Sequence, residues 1–296
     1  MPPPAGHRLL LVHAHPDDET ITTGATMAHY AARGVAVTLL TCTLGEEGEI
    51  LVPAWAELAA DRADQLGGLR IGELAGAMRA LGVADHRFLG AAGRYRDSGM
   101  LGTPANEHPR AFWRAAADPE VLAAAVADAV RVVRDVRPHV VVTYDDAGDY
   151  GHPDHVMAHR VTTAAVTAAA DASYGTGPAW SVPKLYWTAT PRSVLTRGHD
   201  AARGRPDVPF ESPAVPAFGV PDDVVTTVID ASAHAAAKRA GLRAHATQIL
   251  VHDDFFALSN RIAREIDGVE HFRLVAGASG DRDEHGHERD LFAGLA

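Results

Sequence analysis

Two short stretches carry side chains whose types and spacing suit hydrolysis assisted by a metal ion. The first, "HAHPDDE" (13–19), ends an unbroken apolar run; the second, "YGHPDH" (150–155), follows another such run. Histidine and carboxylate at short spacing, joined by a distant histidine, make the donor set of a divalent site that keeps positions open for water and substrate. Zinc suits that set, one ion per subunit, and Fe2+ is compatible with it. Such an ion lowers the pKa of a bound water to about 7, and a neighbouring carboxylate that is not a ligand can serve as general base. The adjacent Asp17 and Asp18 offer both roles at once. Each stretch alone has a plainer reading, a structural pair at a strand end or a turn with a capping aspartate. Their joint occurrence after two equivalent strands favours the metal.

For the two stretches to meet, the strands before them must lie parallel in one sheet, because open α/β sheets build sites outside the carboxyl ends of their strands. The pattern supports this. Residues 8–13, 35–43, 86–90 and 139–144 read as strands, separated by helices over about 20–33, 55–81 (broken near Gly67 and Gly68) and 118–137, with another over about 153–171. Asp118-Pro119-Glu120 is a strong helix start. Beyond residue 172, "PKLYWTA" reads as a strand, 197–221 as a long surface loop, and "DVVTTVID" and "HFRLVAG" as strands flanking a helix at about 231–247. The expected fold is α/β, a Rossmann-like, mostly parallel sheet flanked by helices with an elaborated C-terminal part. It is expected to be one domain over 1–296, with a core at about 8–172 and the elaboration at about 173–296.

Composition narrows the partners. The 296 residues are 47% hydrophobic and 22% charged, as in an ordinary globular chain, and the formal net charge of −11 disfavours nucleic acid. Cys42 is the single cysteine, so no intramolecular disulfide is available, and its place in a strand implies an inert thiol. No run approaches the roughly 20 apolar residues of a membrane span, and no secretory signal is evident, so a cytoplasmic protein is expected. A homo-oligomer is compatible with the sequence. Neither a GxSxG elbow nor a Gly-rich dinucleotide fingerprint follows the first strand. "DEHGHERD" (283–290) reads as a solvated tail.

"HAHPDDE" after a first strand with a later "HPDH" resembles the LmbE/PIG-L superfamily of zinc-dependent N-deacetylases. "TCTLGEEGEI" (41–50), "DQLGGLRIGEL" (64–74), "GRYRDSGM" (93–100), "RPHVVVTYD" (137–145) and "HATQ" (245–248) are similar to its mycothiol-pathway branch in actinobacteria. The resemblance implies removal of acetate from an amino-sugar inositol glycoside, N-acetylglucosaminyl-inositol. It implies His15, Asp18 and His155 as metal ligands and Asp17 as general base. It implies that His152 stabilises the oxyanion or protonates the leaving amine, with Asp154 orienting and charging it. Tyr150 would polarise the carbonyl, and Arg70 and Asp97 would hold sugar hydroxyls. His13 would sit behind the ligands, not at the metal. One departure is visible: where the family commonly carries paired glycines before Tyr150, this chain has Ala147-Gly148-Asp149.

Two rivals share parts of the pattern. The mycothiol S-conjugate amidase has the same fold and metal. It tends to carry a lysine shortly after the acidic motif, where Thr20 to Gly24 has none, and it lacks a close counterpart of "DQLGGLRIGEL". A non-haem iron oxygenase also uses two histidines and a carboxylate, but on an antiparallel double-stranded β-helix, and it leaves Asp17 without a task.

Overall fold

Leu9, Leu10, Leu11 and Val12 give the first strand no polar side, which suits a strand covered on both faces. In the computed structural model, which describes residues 6–295, this run is β1 (Arg8–His13), and all four side chains are buried. Strand alternation splits them. Leu10 and Val12 pack with Val130, Val133 and Val161, whereas Leu9 and Leu11 pack with Met27, Leu74, Met78 and Phe272.

The remaining elements follow in order: α1 (Asp18–Ala32), β2 (Ala36–Thr41), α2 (Leu66–Leu81), β3 (Asp85–Phe88), α3 (Pro119–Val136), β4 (Val140–Thr143), α4 (Pro153–Ala170), β5 (Lys184–Thr188), α5 (Arg192–Arg203), β6 (Thr227–Asp230), α6 (Ala235–Ala244), β7 (Leu250–His252), β8 (Phe255–Ala257), β9 (Arg264–Glu265) and β10 (Val269–Ala276). Seven strands form one sheet in the order β3-β2-β1-β4-β5-β10-β6. The first five are mutually parallel, and β10 runs antiparallel to β5 and β6. Chain order reverses between β1 and β4, and that switch point is where an open α/β sheet leaves a crevice. The mostly parallel α/β expectation holds.

Several local readings need correction. The break expected near Gly67 and Gly68 lies earlier: residues 53–58 form a separate 3-10 turn, and both glycines sit in the first turn of α2. A side chain on Gly67 would collide with Glu46 and Leu44, so this glycine serves close packing. The first part of the expected 197–221 loop is α5, whose apolar stripe of Leu195 and Ala202 is interrupted by Gly198 and His199. A three-stranded antiparallel sheet, β7-β8-β9, was not anticipated.

The C-terminal stretch is docked through Glu288, Leu291 and Phe292, while Glu284, His285 and Arg289 of the expected tail stay exposed. Glu288 is fully buried and takes a 2.8 Å ion pair from Lys184 and hydrogen bonds from the Tyr186 and Thr227 hydroxyls, each 2.9 Å long. Leu291 and Phe292 enter the core beside Tyr30. Lys184→Met would leave a buried carboxylate uncompensated, and a stability loss of about 3–5 kcal/mol is expected in urea titration. Burial pushes the Glu288 carboxyl up, but the Lys184 ammonium, the Gly280 N–H and Tyr186 outweigh it and hold it below its usual value. Its contribution is therefore complete above the ordinary glutamate range and is lost as pH falls through the lowered pKa.

Candidate active site

The site sits where β1 and β4 hand over to α1 and α4. β1 ends at His13, the turn 14–17 follows, and α1 begins at Asp18; β4 ends at Thr143, and α4 begins at Pro153 with His152 as its cap. Two helix N-termini and two acid-bearing turns thereby converge at one sheet edge.

Asp18 is the hub. One of its oxygens lies 3.2 Å from His15 Nδ1 and 3.4 Å from His155 Nε2, and it accepts the His15 backbone N–H at 2.9 Å. Two ligands at about 2.0–2.1 Å from a tetrahedral ion stand roughly 3.3 Å apart, so both contacts match donors arranged around a shared ion. Both ring nitrogens of His155 are buried with no hydrogen-bond partner among the described residues, an unmet valence that an ion would satisfy. His152 also brings a nitrogen within 4.8 Å of those of His15 and His155. Its Nδ1, however, accepts the Asp154 N–H at 3.2 Å, and an all-imidazole set would leave the buried Asp18 charge unused. His15, Asp18 and His155 could thus hold a divalent ion, with His152 a further imidazole in reach.

His15 Nε2 is backed by Asp154 at 3.4 Å and Asp97 at 3.5 Å. Carboxylates behind a ligating imidazole fix its tautomer and raise its basicity. Burial opposes protonation of His15, but Asp97, Asp154 and Asp18 hold its pKa well above the usual value: the well is made for positive charge. The carboxylate of Asp154 therefore faces His15 and the Ser98 N–H (2.9 Å), whereas the sequence reading aimed it at His152; only its backbone reaches that ring. Asp97 accepts the N–H groups of Gly99 and Glu47 and still lines the cavity.

Asp17 stands next to this group in a strained backbone, φ 127° and ψ −34°, of a kind that costs about 1–3 kcal/mol and clusters at functional sites. Burial, reinforced by Asp18 and opposed by Arg70, pushes its carboxyl up to about 6. Arg70, buried on α2, lies 3.0 Å from Asp17 and donates to the carbonyls of Gly45 and Pro16. Its Nε is buried without a partner among the described residues, and Arg70 also lines the cavity, so it braces the turn from the cavity wall. The left-handed Gly45 is needed here, because a side chain would overlap the guanidinium.

Burial, followed by the nearby His15 and His155, pushes the His152 pKa down to about 3. With Nδ1 accepting, the neutral ring carries its proton on Nε2. Tyr150 is 47% exposed at the cavity mouth, its ring set edge-on to His155 at 5.1 Å. Preceding it, Asp149 adopts a left-handed φ of 63°. His13 bonds Tyr144 and Thr23, and Tyr144 stacks on His155 at 4.2 Å. His13 accordingly lies one ring behind the cluster.

Sequence reading missed the residues that hold the Asp17 turn. Glu19 is fully buried, accepts the Asp17 N–H at 2.8 Å and pairs with His245 at 2.8 Å. The signal was present as a third consecutive acid and as the histidine of "HATQ". Glu19→Gln is expected to cost about 3–5 kcal/mol in thermal unfolding by unpairing His245.

The family model described as PIG-L, GlcNAc-PI de-N-acetylase, matches residues 10–166, from β1 through most of α4. The chain belongs to this family. Among its relatives, the 1D-myo-inositol 2-acetamido-2-deoxy-alpha-D-glucopyranoside deacetylase of Geodermatophilus obscurus is 61% identical over 97% of this chain and 98% of its own. The correspondingly named deacetylase 1 of Catenulispora acidiphila is 56% identical over 99% and 91%. Solved structures share the fold alone. A deacetylase of teicoplanin biosynthesis, bound to teicoplanin, has a TM-score of 0.55 at 18% identity, covering 92% of this chain and 98% of that one. GalB, the 4-carboxy-2-hydroxymuconate hydratase of Pseudomonas putida, has a TM-score of 0.57 at 19% identity, covering 93% and 99%. One fold thus hosts a deacetylase and a hydratase, and the chemistry of this chain rests on its own site. Among the described residues no helix is long and apolar enough to cross a membrane.

Proposed function

We propose that this chain is a metal-dependent hydrolase that removes acetate from 1D-myo-inositol 2-acetamido-2-deoxy-α-D-glucopyranoside in the cytoplasm, on the route to mycothiol. The observation that carries the reading is the convergence of His15 and His155 on Asp18, with Asp17 beside them, in a chain so similar to deacetylases of that name. A zinc ion held by His15, Asp18 and His155 would polarise the acetamide carbonyl and make water nucleophilic at neutral pH.

The chain's own residues do the rest. Asp17, ionised above pH 6 and pinned by Arg70, takes the proton of the attacking water and returns it to the departing amine. One water and one amide thereby become acetate and the free amino sugar. His152, neutral with Nε2–H exposed to the cavity, donates to the carbonyl oxygen as charge builds on it. That assigns it the oxyanion and leaves proton delivery to Asp17. Tyr150 adds a hydroxyl from the mouth. Asp154 orients His15, and Asp97 shares that task while keeping lone pairs for a sugar hydroxyl.

The test is free acetate released from the glycoside, followed by proton NMR with metal-loaded and chelator-treated protein. Release that depends on restored divalent metal is expected. Equal release from the chelated protein, or none from the loaded one, would overturn the reading.

A further inference from the structure

The site opens into a cavity of about 540 Å³, far more than an acetamido group fills. Its near wall carries the metal-site residues with Glu47 and Glu49. Its far wall comes from Phe218 of the 204–221 segment, from Leu258, Ser259, Asn260 and Ile262 in the loop between β8 and β9, and from Arg264 on β9. Arg264 is the unusual member. Its guanidinium lies over Phe218 at 5.2 Å and Phe256 at 5.3 Å, yet it makes no side-chain hydrogen bond or ion pair among the described residues. Two aromatic faces attract the charge but leave the N–H donors without acceptors. A half-buried cation facing a cavity with free donors is arranged to meet oxygen atoms that arrive with a ligand.

Position points to which part of the ligand. His155 touches Tyr150 (5.1 Å), Tyr150 touches Phe218 (6.5 Å), and Phe218 lies under Arg264. Arg264 is therefore two ring contacts from the reacting end, in the same cavity. Charge points to which chemistry. Glu47, Glu49 and Asp149 also line the cavity, and a second anionic group on the ligand would meet them. Neutral vicinal hydroxyls would not.

We infer that Arg264, lying over the rings of Phe218 and Phe256, is a specificity-determining residue that binds vicinal hydroxyls of the ring attached to the amino sugar. The inference rests on the substrate reading above and deepens it. The fork of parallel N–H donors spans adjacent ring oxygens as it spans a carboxylate. Phe218 and Leu258 cover the ring's apolar edge. The interaction is the same before and during amide cleavage, so it acts through KM and leaves kcat nearly untouched.

The experiment compares kcat/KM for the inositol glycoside with that for plain N-acetylglucosamine, in wild type and in Arg264→Met. The ratio of the two is expected to fall about 10–100-fold in the variant, through KM for the glycoside. A ratio within about twofold of wild type, with both substrates slowed in parallel, overturns the inference, since a merely structural role would move both alike. Thermal midpoints check folding. If Arg264→Met does not fold, Arg264→Lys carries the same comparison: it keeps the charge but loses the fork, and the ratio must still fall. A wild-type protein with no preference for the glycoside overturns the substrate reading itself, before any variant is compared.

Discussion

Asp17→Asn is expected to leave a folded, metal-loaded protein whose kcat is reduced by about 10²–10⁴-fold, the usual contribution of a positioned general base. The substitution keeps the shape and a partner for Arg70 but removes the proton acceptor. Metal content should stay close to wild type, because His15, Asp18 and His155 are untouched. The pH profile adds a second readout. The base must be ionised, so activity falls as pH drops through the Asp17 pKa. Burial places that value at about 6, and a nearby cation can only lower it. The wild-type acid limb in kcat/KM should therefore lie at or below about pH 6, and the residual activity of the variant should lack it. An unchanged acid limb in Asp17→Asn would reassign the base.

Asp18→Ala is expected to fail at the preceding step. It removes the only carboxylate among the described residues that touches both His15 Nδ1 and His155 Nε2, and with it the acceptor of the His15 N–H. Metal affinity should fall by more than the roughly 10–100-fold that follows loss of a residue merely supporting a ligand. Metal content after dialysis, measured by atomic emission, should drop well below one ion per chain. Activity should return in part at high added metal. The contrast between the two neighbours is diagnostic: Asp17→Asn keeps metal without turnover, and Asp18→Ala loses both.

The parts legible in the sequence were those written by period and burial. Leu9–Val12 and Val140–Val142 are continuous apolar runs, and a strand covered on both faces has no other pattern. The two motifs at their ends fall together because both strands are parallel and adjacent. Asp118 caps α3 as its sequence suggests, accepting from Glu120 and Val121. What stayed hidden depended on partners distant in sequence. The β7-β8-β9 strands are two or three residues long, too short for an alternation to register, and they carry Arg264. Glu288 reads as one more charge in a polar tail until Lys184, more than a hundred residues earlier, is seen beneath it. Asp154 and Asp97 were read toward substrate or His152, because spacing cannot show that both converge on the far side of His15. Spacing likewise cannot show that Arg70, which lines the cavity, also braces the turn through Asp17, Gly45 and Pro16.

The same physics explains why the site tolerates so much buried charge. Asp17, Asp18, Glu19, Asp97 and Asp154 are all buried around His15, His152, His155, His245 and Arg70. Unpaired, such a group would be prohibitively costly. Here each carboxylate has a cationic or N–H partner, and the remaining deficit is concentrated at the point where a divalent ion would sit.

The most direct test of the central claim is a competition of substrates on one metal-loaded preparation. The inositol glycoside, plain N-acetylglucosamine and a mycothiol S-conjugate are compared by kcat/KM, following the primary amine each cleavage exposes. The account predicts that the glycoside leads both others by at least tenfold, a margin of about 1.4 kcal/mol in transition-state binding. A higher kcat/KM for the S-conjugate, or an absence of amine release from the glycoside, would contradict it.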